Sequence, residues 1–274
     1  MDVGRSRGFT IIEVMLALAI GGLLLGGFFV GSSAAISTQR YSDSVYSLQA
    51  EIQAQYSEAE NVYSSCRGGS GCATNVTCAK SGSSVSITPV AAGASTPRGQ
   101  TDCVILGRYI TTTSNPSTLL VRGVVGVQTS TISSSDDIAD LQQHYQIAAL
   151  GNTDTAQNKS LLALLKGESY RTEWGQALKK QGGANATYGI LILRSPQSGD
   201  LYTLITTTPS MSPETLLHDN AATGLATSAT LCVDTNASGV SSRSTMAIKI
   251  AANAANPSGV QVIGNAAVRS GSLC

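Results

Sequence analysis

Gly8 to Arg40 reads GFTIIEVMLALAIGGLLLGGFFVGSSAAISTQR, and this stretch decides how everything after it must be arranged. From Val14 to Ile36 there are 23 residues without a charge. An α-helix of that length crosses a hydrocarbon core of roughly 30 Å. Eleven of these residues are Leu, Ile, Val or Phe, which on an insertion scale contribute roughly −3 to −7 kcal/mol toward a position in lipid. Glu13 stands at the head of the run, where an ionised carboxylate is expensive and usually has a partner. Arg5 and Arg7 precede it and favour retention of the amino terminus on the cytoplasmic side.

The order of these features matters. A secretory signal peptide carries its cleavage site after the apolar region, whereas here a distinctive Gly8-Phe9 junction comes before it. With the basic leader MDVGRSRG, then Phe9, Thr10, Ile11, Ile12 and Glu13, the amino terminus resembles the type IV pilin and type II secretion pseudopilin superfamily. The resemblance implies that residues 1–8 are a leader cut off after Gly8 by a prepilin peptidase, and that Phe9 is then N-methylated. It implies that Glu13 serves assembly by meeting the free Phe9 amine of a neighbouring subunit. The partners it implies are further copies of the chain in a helical filament, the peptidase, an inner-membrane assembly platform, and the membrane before assembly. On the residues alone, Glu13 can instead sit at the interfacial edge and complement the positive end of the helix dipole.

Gly22 and Gly26, and again Gly27 and Gly31, are four apart and form GxxxG pairs that let helices approach closely. Glycine is also common in ordinary membrane helices, and each weakens a helix by about 1 kcal/mol relative to Ala. Gly21 to Gly31 is therefore where helical structure could stretch. Members of the superfamily often have a proline in this region; the first proline here is Pro89.

Past the apolar run, Tyr41, Val45, Leu48, Ile52, Tyr56, Ala59, Val62 and Cys66 recur every three or four residues, the mark of one apolar helical face. The pattern predicts a single helix from Phe9 to about Cys66, roughly 87 Å long at 1.5 Å per residue. Residues 9–36 would form the membrane or filament-core part, 37–66 the part lying against a folded body, and 67–274 that body, a globular head. A coiled-coil seam is the alternative for the second half, with flanking charges too poorly ordered to favour it.

The head is poor in aromatic and charged residues and rich in Ser, Thr and Gly, which fits a secreted β-rich body better than a cytosolic enzyme. Net charge is zero overall, but residues 9–66 carry only Arg40 against Glu13, Asp43, Glu51, Glu58 and Glu60. The remainder is weakly basic, too weakly to indicate nucleic acid. Residues 67–103 read as a long surface loop tied by cysteines. Strands are predicted at Cys103–Ile110, Leu119–Gln128, Tyr188–Arg194, Leu201–Thr207, Thr230–Asp234, Thr245–Ile250 and Gly259–Ile263. Helices are predicted from Ser134 to about Leu150, at Ala156–Lys166 and at Thr172–Lys180. The class is α+β, an antiparallel sheet packed on the second half of the long helix, as the resemblance also implies.

Six cysteines, Cys66, Cys72, Cys78, Cys103, Cys232 and Cys274, lie outside the apolar run and suit disulfides in an oxidising compartment. The sequence cannot choose their pairing; the expectation is that the first four pair among themselves and Cys232 with Cys274. Zinc is the rival, but the spacing lacks a CxxC knuckle. Asp234, Asn236 and Ser238 match the first half of a calcium loop, yet Thr245 stands where a bidentate Glu is needed, and the segment reads as a turn between strands. There is no GxSxG, HExxH or phosphate loop. His144 and His218 have no neighbouring metal-ligand partner, and Lys179-Lys180 reads as a solvated helix end. No cofactor is expected. The function expected from the resemblance is structural, a major or minor pilin held in the inner membrane with its head outside the cytoplasm, then assembled into an extracellular pilus. The alternatives are a pseudopilin in a periplasmic pseudopilus, and a membrane-anchored or secreted enzyme or binding protein.

Overall fold

The apolar run and the stripe behind it form one continuous helix, α1 (Ile11–Glu60), of 50 residues, or about 75 Å. The computed structural model describes residues 10–61, 76–81, 84–89, 104–130, 138–149, 168–180, 183–218, 226–234, 245–264, 268 and 274. Helix α1 starts at Thr10, whose extended backbone and side-chain oxygen make it the N-cap, and ends at Asn61, which leaves helical dihedrals at φ −92 and ψ 85. The end thus falls short of the expected limit near Cys66: the Asn61 N–H still makes the helical bond to the Ser57 carbonyl, but its own backbone has left helical dihedrals and its Nδ2 donates to the same carbonyl. Val62 and Cys66 lie outside the described residues.

Two antiparallel sheets build the head. The larger has six strands: β3 (Val104–Thr112), β4 (Thr118–Gln128), β5 (Tyr145–Ala149), β6 (Glu168–Arg171), β8 (Gly189–Arg194) and β9 (Leu201–Thr206). Strand β4 is long enough to hold two partners on one edge, β6 along Thr118–Val121 and β5 along Val124–Gln128. The smaller sheet runs β12-β11-β10-β7, from β7 (Leu178–Lys179), β10 (Ser228–Val233), β11 (Met246–Ala251) and β12 (Val260–Ile263). A separate hairpin joins β1 (Val76–Ser81) to β2 (Ser84–Pro89). The larger sheet is covered on both faces. Ile110, Ile190 and Ile192 point into the core shared with α1 and the smaller sheet. Tyr109, Leu191 and Leu193 point the other way, toward helices α2 (Ile138–His144) and α3 (Pro213–His218). Alternate residues of β8 therefore serve different cores, so its burial is continuous rather than period two.

The register of β3 on β4 shifts at a bulge between Ile105 and Gly107. The bulge puts Leu106 on the same face as Tyr109. Glycine is required there because a Cβ at Gly107 would collide with the Ile192 carbonyl of β8.

Several expectations need correction. The helix predicted to run to Leu150 stops at His144, and Tyr145–Ala149 is strand β5. Ser134, its expected start, lies outside the described residues, as does all of Ala156–Lys166. Thr172–Lys180 is not a helix but a one-turn 3-10 segment, Glu173–Gly175, followed by β7. The turn is fixed by Thr172 Oγ1 donating to the Gln176 carbonyl at 2.6 Å, and β7 is drawn into the smaller sheet by pairing with β10. The stretch expected to be all loop contains the β1–β2 hairpin.

Candidate functional site: the amino-terminal helix and its seat in the head

Glu13 sits in the first turn of α1, exposed, with its own N–H donating to Thr10 Oγ1 at 3.3 Å. Gly8 and Phe9, the expected cleavage junction and methylation site, lie outside the described residues. Glu13 aside, the helix is apolar on every side from Ile11 to Val30, and Ile11, Ile12, Leu23 and Val30 are each about three-quarters exposed. The 18-residue window of highest hydropathy, at a mean of 2.3, is 0% buried by the rest of the chain. Exposure of that much apolar surface to water would be costly at about 25 cal/mol per Å². Gly22, Gly26, Gly27 and Gly31 face open space, with nothing within 4 Å of a Cβ built on any of them. This half of α1 is therefore long and apolar enough to cross a membrane, and its surface is free to pack on lipid or on other helices.

The second half is gripped. Tyr41, Val45, Leu48, Ile52, Tyr56 and Ala59 are all buried in the main core, the same residues that the helical stripe singles out. Polar contacts fix the register of helix against head. Tyr41 Oη accepts from the Met246 N–H at 2.7 Å and donates to the Val233 carbonyl at 2.9 Å, bridging the ends of β10 and β11. Burial pushes the Tyr41 hydroxyl up to about 12. Ser44 Oγ donates to Gln176 Oε1 at 2.9 Å, and Gln49 Nε2 donates to the Val260 carbonyl at 3.0 Å. Tyr56 Oη lies 3.0 Å from Thr203 Oγ1, which donates to the Ala254 carbonyl at 2.7 Å. Near the far end, Glu58 pairs with Arg108 at 2.6 Å. Sequence reasoning located the apolar half of this grip but missed Ser44, Gln49 and Gln53, the last of which donates from Nε2 to the Pro257 and Val260 carbonyls at 3.2 Å each. Nothing about an isolated Gln distinguishes a helix-to-strand contact from a solvated side chain.

The other residues singled out in the sequence are dispersed. Asp234 is committed to Lys179 at 2.5 Å, while Asn236 and Ser238 lie outside the described residues. Lys179 is thus a strand residue in an ion pair, not a solvated helix end. Cys232 of β10 is joined to Cys274 by a disulfide and is buried beside Ala247 and Val268. Cys66, Cys72 and Cys103 lie outside the described residues, and the backbone of Cys78 pairs with Ile87 in the β1–β2 hairpin. No cluster of three metal-ligating side chains occurs among the described residues.

A cleft of about 620 Å³ opens beside α3, lined in part by Lys80, Gln143, Ser212, Glu214 and His218. His218 Nε2 meets Glu214 Oε1 at 3.2 Å and the Tyr145 carbonyl at 3.1 Å. Burial raises the Glu214 carboxyl above its ordinary range, partly offset by the Ile147 N–H that it accepts and by His218. Ser212 Oγ caps α3 by accepting from the Thr215 N–H at 3.1 Å and meets Thr215 Oγ1 at 2.8 Å. His144 contacts Ser130 Oγ through Nδ1 at 2.6 Å and Asp140 through Nε2 at 3.8 Å. Each imidazole ties a helix end to a neighbouring segment.

Residues 4–29 match the prokaryotic N-terminal methylation motif, the prepilin-type signal of type IV pilins and pseudopilins. No curated protein and no solved structure matches the chain. The match ends at residue 29, within the exposed half of α1 and before the helix enters the head at Tyr41.

Proposed function

We propose that this chain is a structural subunit, a major or minor pilin of a type IV pilus-like filament, processed at Gly8-Phe9 and assembled through α1. The methylation motif supports a type IV pilin-like or pseudopilin protein and implies peptidase processing and filament assembly in general. One observation carries the reading further: the helix half bearing the motif is entirely unburied by its own head, while the other half is locked into it. Such a surface needs lipid before assembly and like surfaces after it. Gly22, Gly26, Gly27 and Gly31 support close helix approach there. The Ser- and Thr-rich head with its cysteines favours an external pilus over a periplasmic pseudopilus.

Glu13 supplies the test. In this reading it pairs with the Phe9 amine of a neighbour, so Glu13→Ala leaves that cation unpaired in a low-dielectric core. Breaking a buried pair costs about 3 to 5 kcal/mol, repeated at every subunit contact. Sheared-filament yield should collapse while processed subunit accumulates in the membrane fraction and the head stays folded. If Glu13 only complements the helix dipole, filament yield will stay at the wild-type level, which would refute the pairing. Gly8→Val should separately leave an uncut precursor, read by mass spectrometry of the amino terminus, since a bulky side chain blocks close backbone approach to the peptidase.

A further inference from the structure

The chain has one tryptophan, Trp174, and the fold leaves it 57% exposed. Its backbone sits at φ 59 and ψ 14, a left-handed conformation that bulky side chains rarely adopt. The turn holding it is well anchored. The Thr172 N–H donates to the Ser117 carbonyl at 2.9 Å, and Ser117 Oγ donates to the Gly175 carbonyl at 2.9 Å. Ser47 Oγ of α1 donates to Glu173 Oε1 at 3.0 Å, tying the same turn to the helix. The head thus holds an indole outward in an unfavourable backbone conformation, with the Arg40 guanidinium 4.8 Å from the ring centroid.

The position along α1 gives this pair its meaning. Arg40 is the first charged residue after Glu13, and the rise between them is about 40 Å at 1.5 Å per residue. A bilayer including its headgroups is about 40 to 45 Å thick. With Glu13 at the inner edge, Arg40 and Trp174 reach the outer headgroup layer. That layer takes these two side chains readily: an indole rests at headgroup depth, and an Arg keeps its stem along apolar surface and its charge in the polar zone.

We propose that Trp174 and Arg40 form a membrane-interface anchor that seats the head on the outer headgroup layer of the bilayer storing the subunit. The proposal rests on the reading of the first half of α1 as a membrane span. The head is then held at a fixed depth and orientation before assembly, and extraction into a filament has to lift the indole out of the interface.

Because Trp174 is the sole tryptophan, its fluorescence reports this contact directly. The full chain is reconstituted at low density into phosphatidylcholine and phosphatidylglycerol vesicles, and vesicle flotation establishes insertion. Emission is then quenched from the lipid side by chains brominated close to the glycerol backbone, and from the water side by acrylamide. The proposal expects a blue-shifted emission, strong quenching by the brominated lipid, and severalfold weaker acrylamide quenching than for the same protein denatured. A companion variant, Trp174→Phe with Tyr46→Trp, moves the probe to an exposed position of α1 about 9 Å farther from the membrane. That probe should be quenched by acrylamide and not by lipid. Inserted protein whose Trp174 is quenched by acrylamide as freely as when denatured would overturn the anchor while leaving the membrane span standing. Equal lipid quenching at position 46 would overturn it too, since the head would then be lying flat on the bilayer. Failure to float with the vesicles would overturn the membrane span and the anchor together.

Discussion

Tyr41 is the residue at which the helix and the head become one structure. Its hydroxyl stands between the Met246 N–H and the Val233 carbonyl, at a register pair of β10 and β11. Tyr41→Phe keeps the ring and deletes that bridge, leaving a partly buried donor and acceptor unmatched. A loss of about 1 to 3 kcal/mol in head stability is expected, read by urea unfolding; unchanged stability would mean that water replaces the hydroxyl at no cost. Tyr41 and Tyr109 are both pushed up to about 12 by burial, from an ordinary 10.0. The folded state therefore holds their protons more tightly than the unfolded chain. The stability they contribute is complete below pH 10 and is lost as pH rises toward 12. A pH titration following phenolate absorbance and circular dichroism together should show these two groups ionising only as the head unfolds. Glu214 works in the same sense at acid pH, since burial raises it above the ordinary 4.5. Its protonated form suits the fold, so wild type should gain stability relative to Glu214→Gln as pH falls through the range above 4.5. Melting temperatures of the two proteins across that range test the sign, and a difference independent of pH would contradict it.

At the scale of elements, α1 was legible in the sequence because two simple signals run without interruption along it. One is an apolar run with no charge, and the other is a stripe repeating every three or four residues from Tyr41 to Ala59. Both concern only the helix's own periodicity. Strand β5 was not legible for the opposite reason: Ile138 to Ala149 has no internal breaker and many helix-compatible residues. The edge of β4 at Val124–Gln128 captures Tyr145–Ala149 as a strand, and no local pattern reveals that edge. The two-sided burial of β8 is likewise a property of what covers the sheet. Among the residues proposed to act in assembly or anchoring, Glu13 and the glycines stood out by type and place, whereas Trp174 did not, since only the fold puts it beside Arg40. The division of α1 yields a paired prediction. Leu48→Ala, fully buried, should destabilise the head by about 2 to 5 kcal/mol. Leu24→Ala, 68% exposed in the apolar half, should leave head unfolding in detergent unchanged. Equal effects would mean that the first half of α1 is covered by the head after all.

Across the whole molecule, the smaller sheet is where the longest-range connections meet. Strand β10 lies between β7 and β11, contributes the Val233 carbonyl to Tyr41 on α1, and carries Cys232, which is joined to Cys274. The crosslink spans 42 residues. Closing a loop of that size removes unfolded-chain entropy worth roughly 3 to 5 kcal/mol. Because β10 shares its core with α1 and with the larger sheet, that stabilisation should reach the entire head rather than one hairpin. Cys274→Ser, analysed against wild type under conditions that leave other disulfides intact, should therefore lower a single cooperative melting transition by roughly 10 °C for a body of this size. Filament yield at low temperature should be preserved, since the apolar half of α1 is untouched, while sheared filaments should lose their heads' proteolytic resistance at a lower temperature than wild type. A mutant that melts in two steps, with the larger sheet at its wild-type temperature, would show that the sheets unfold separately and that the crosslink stabilises only its own.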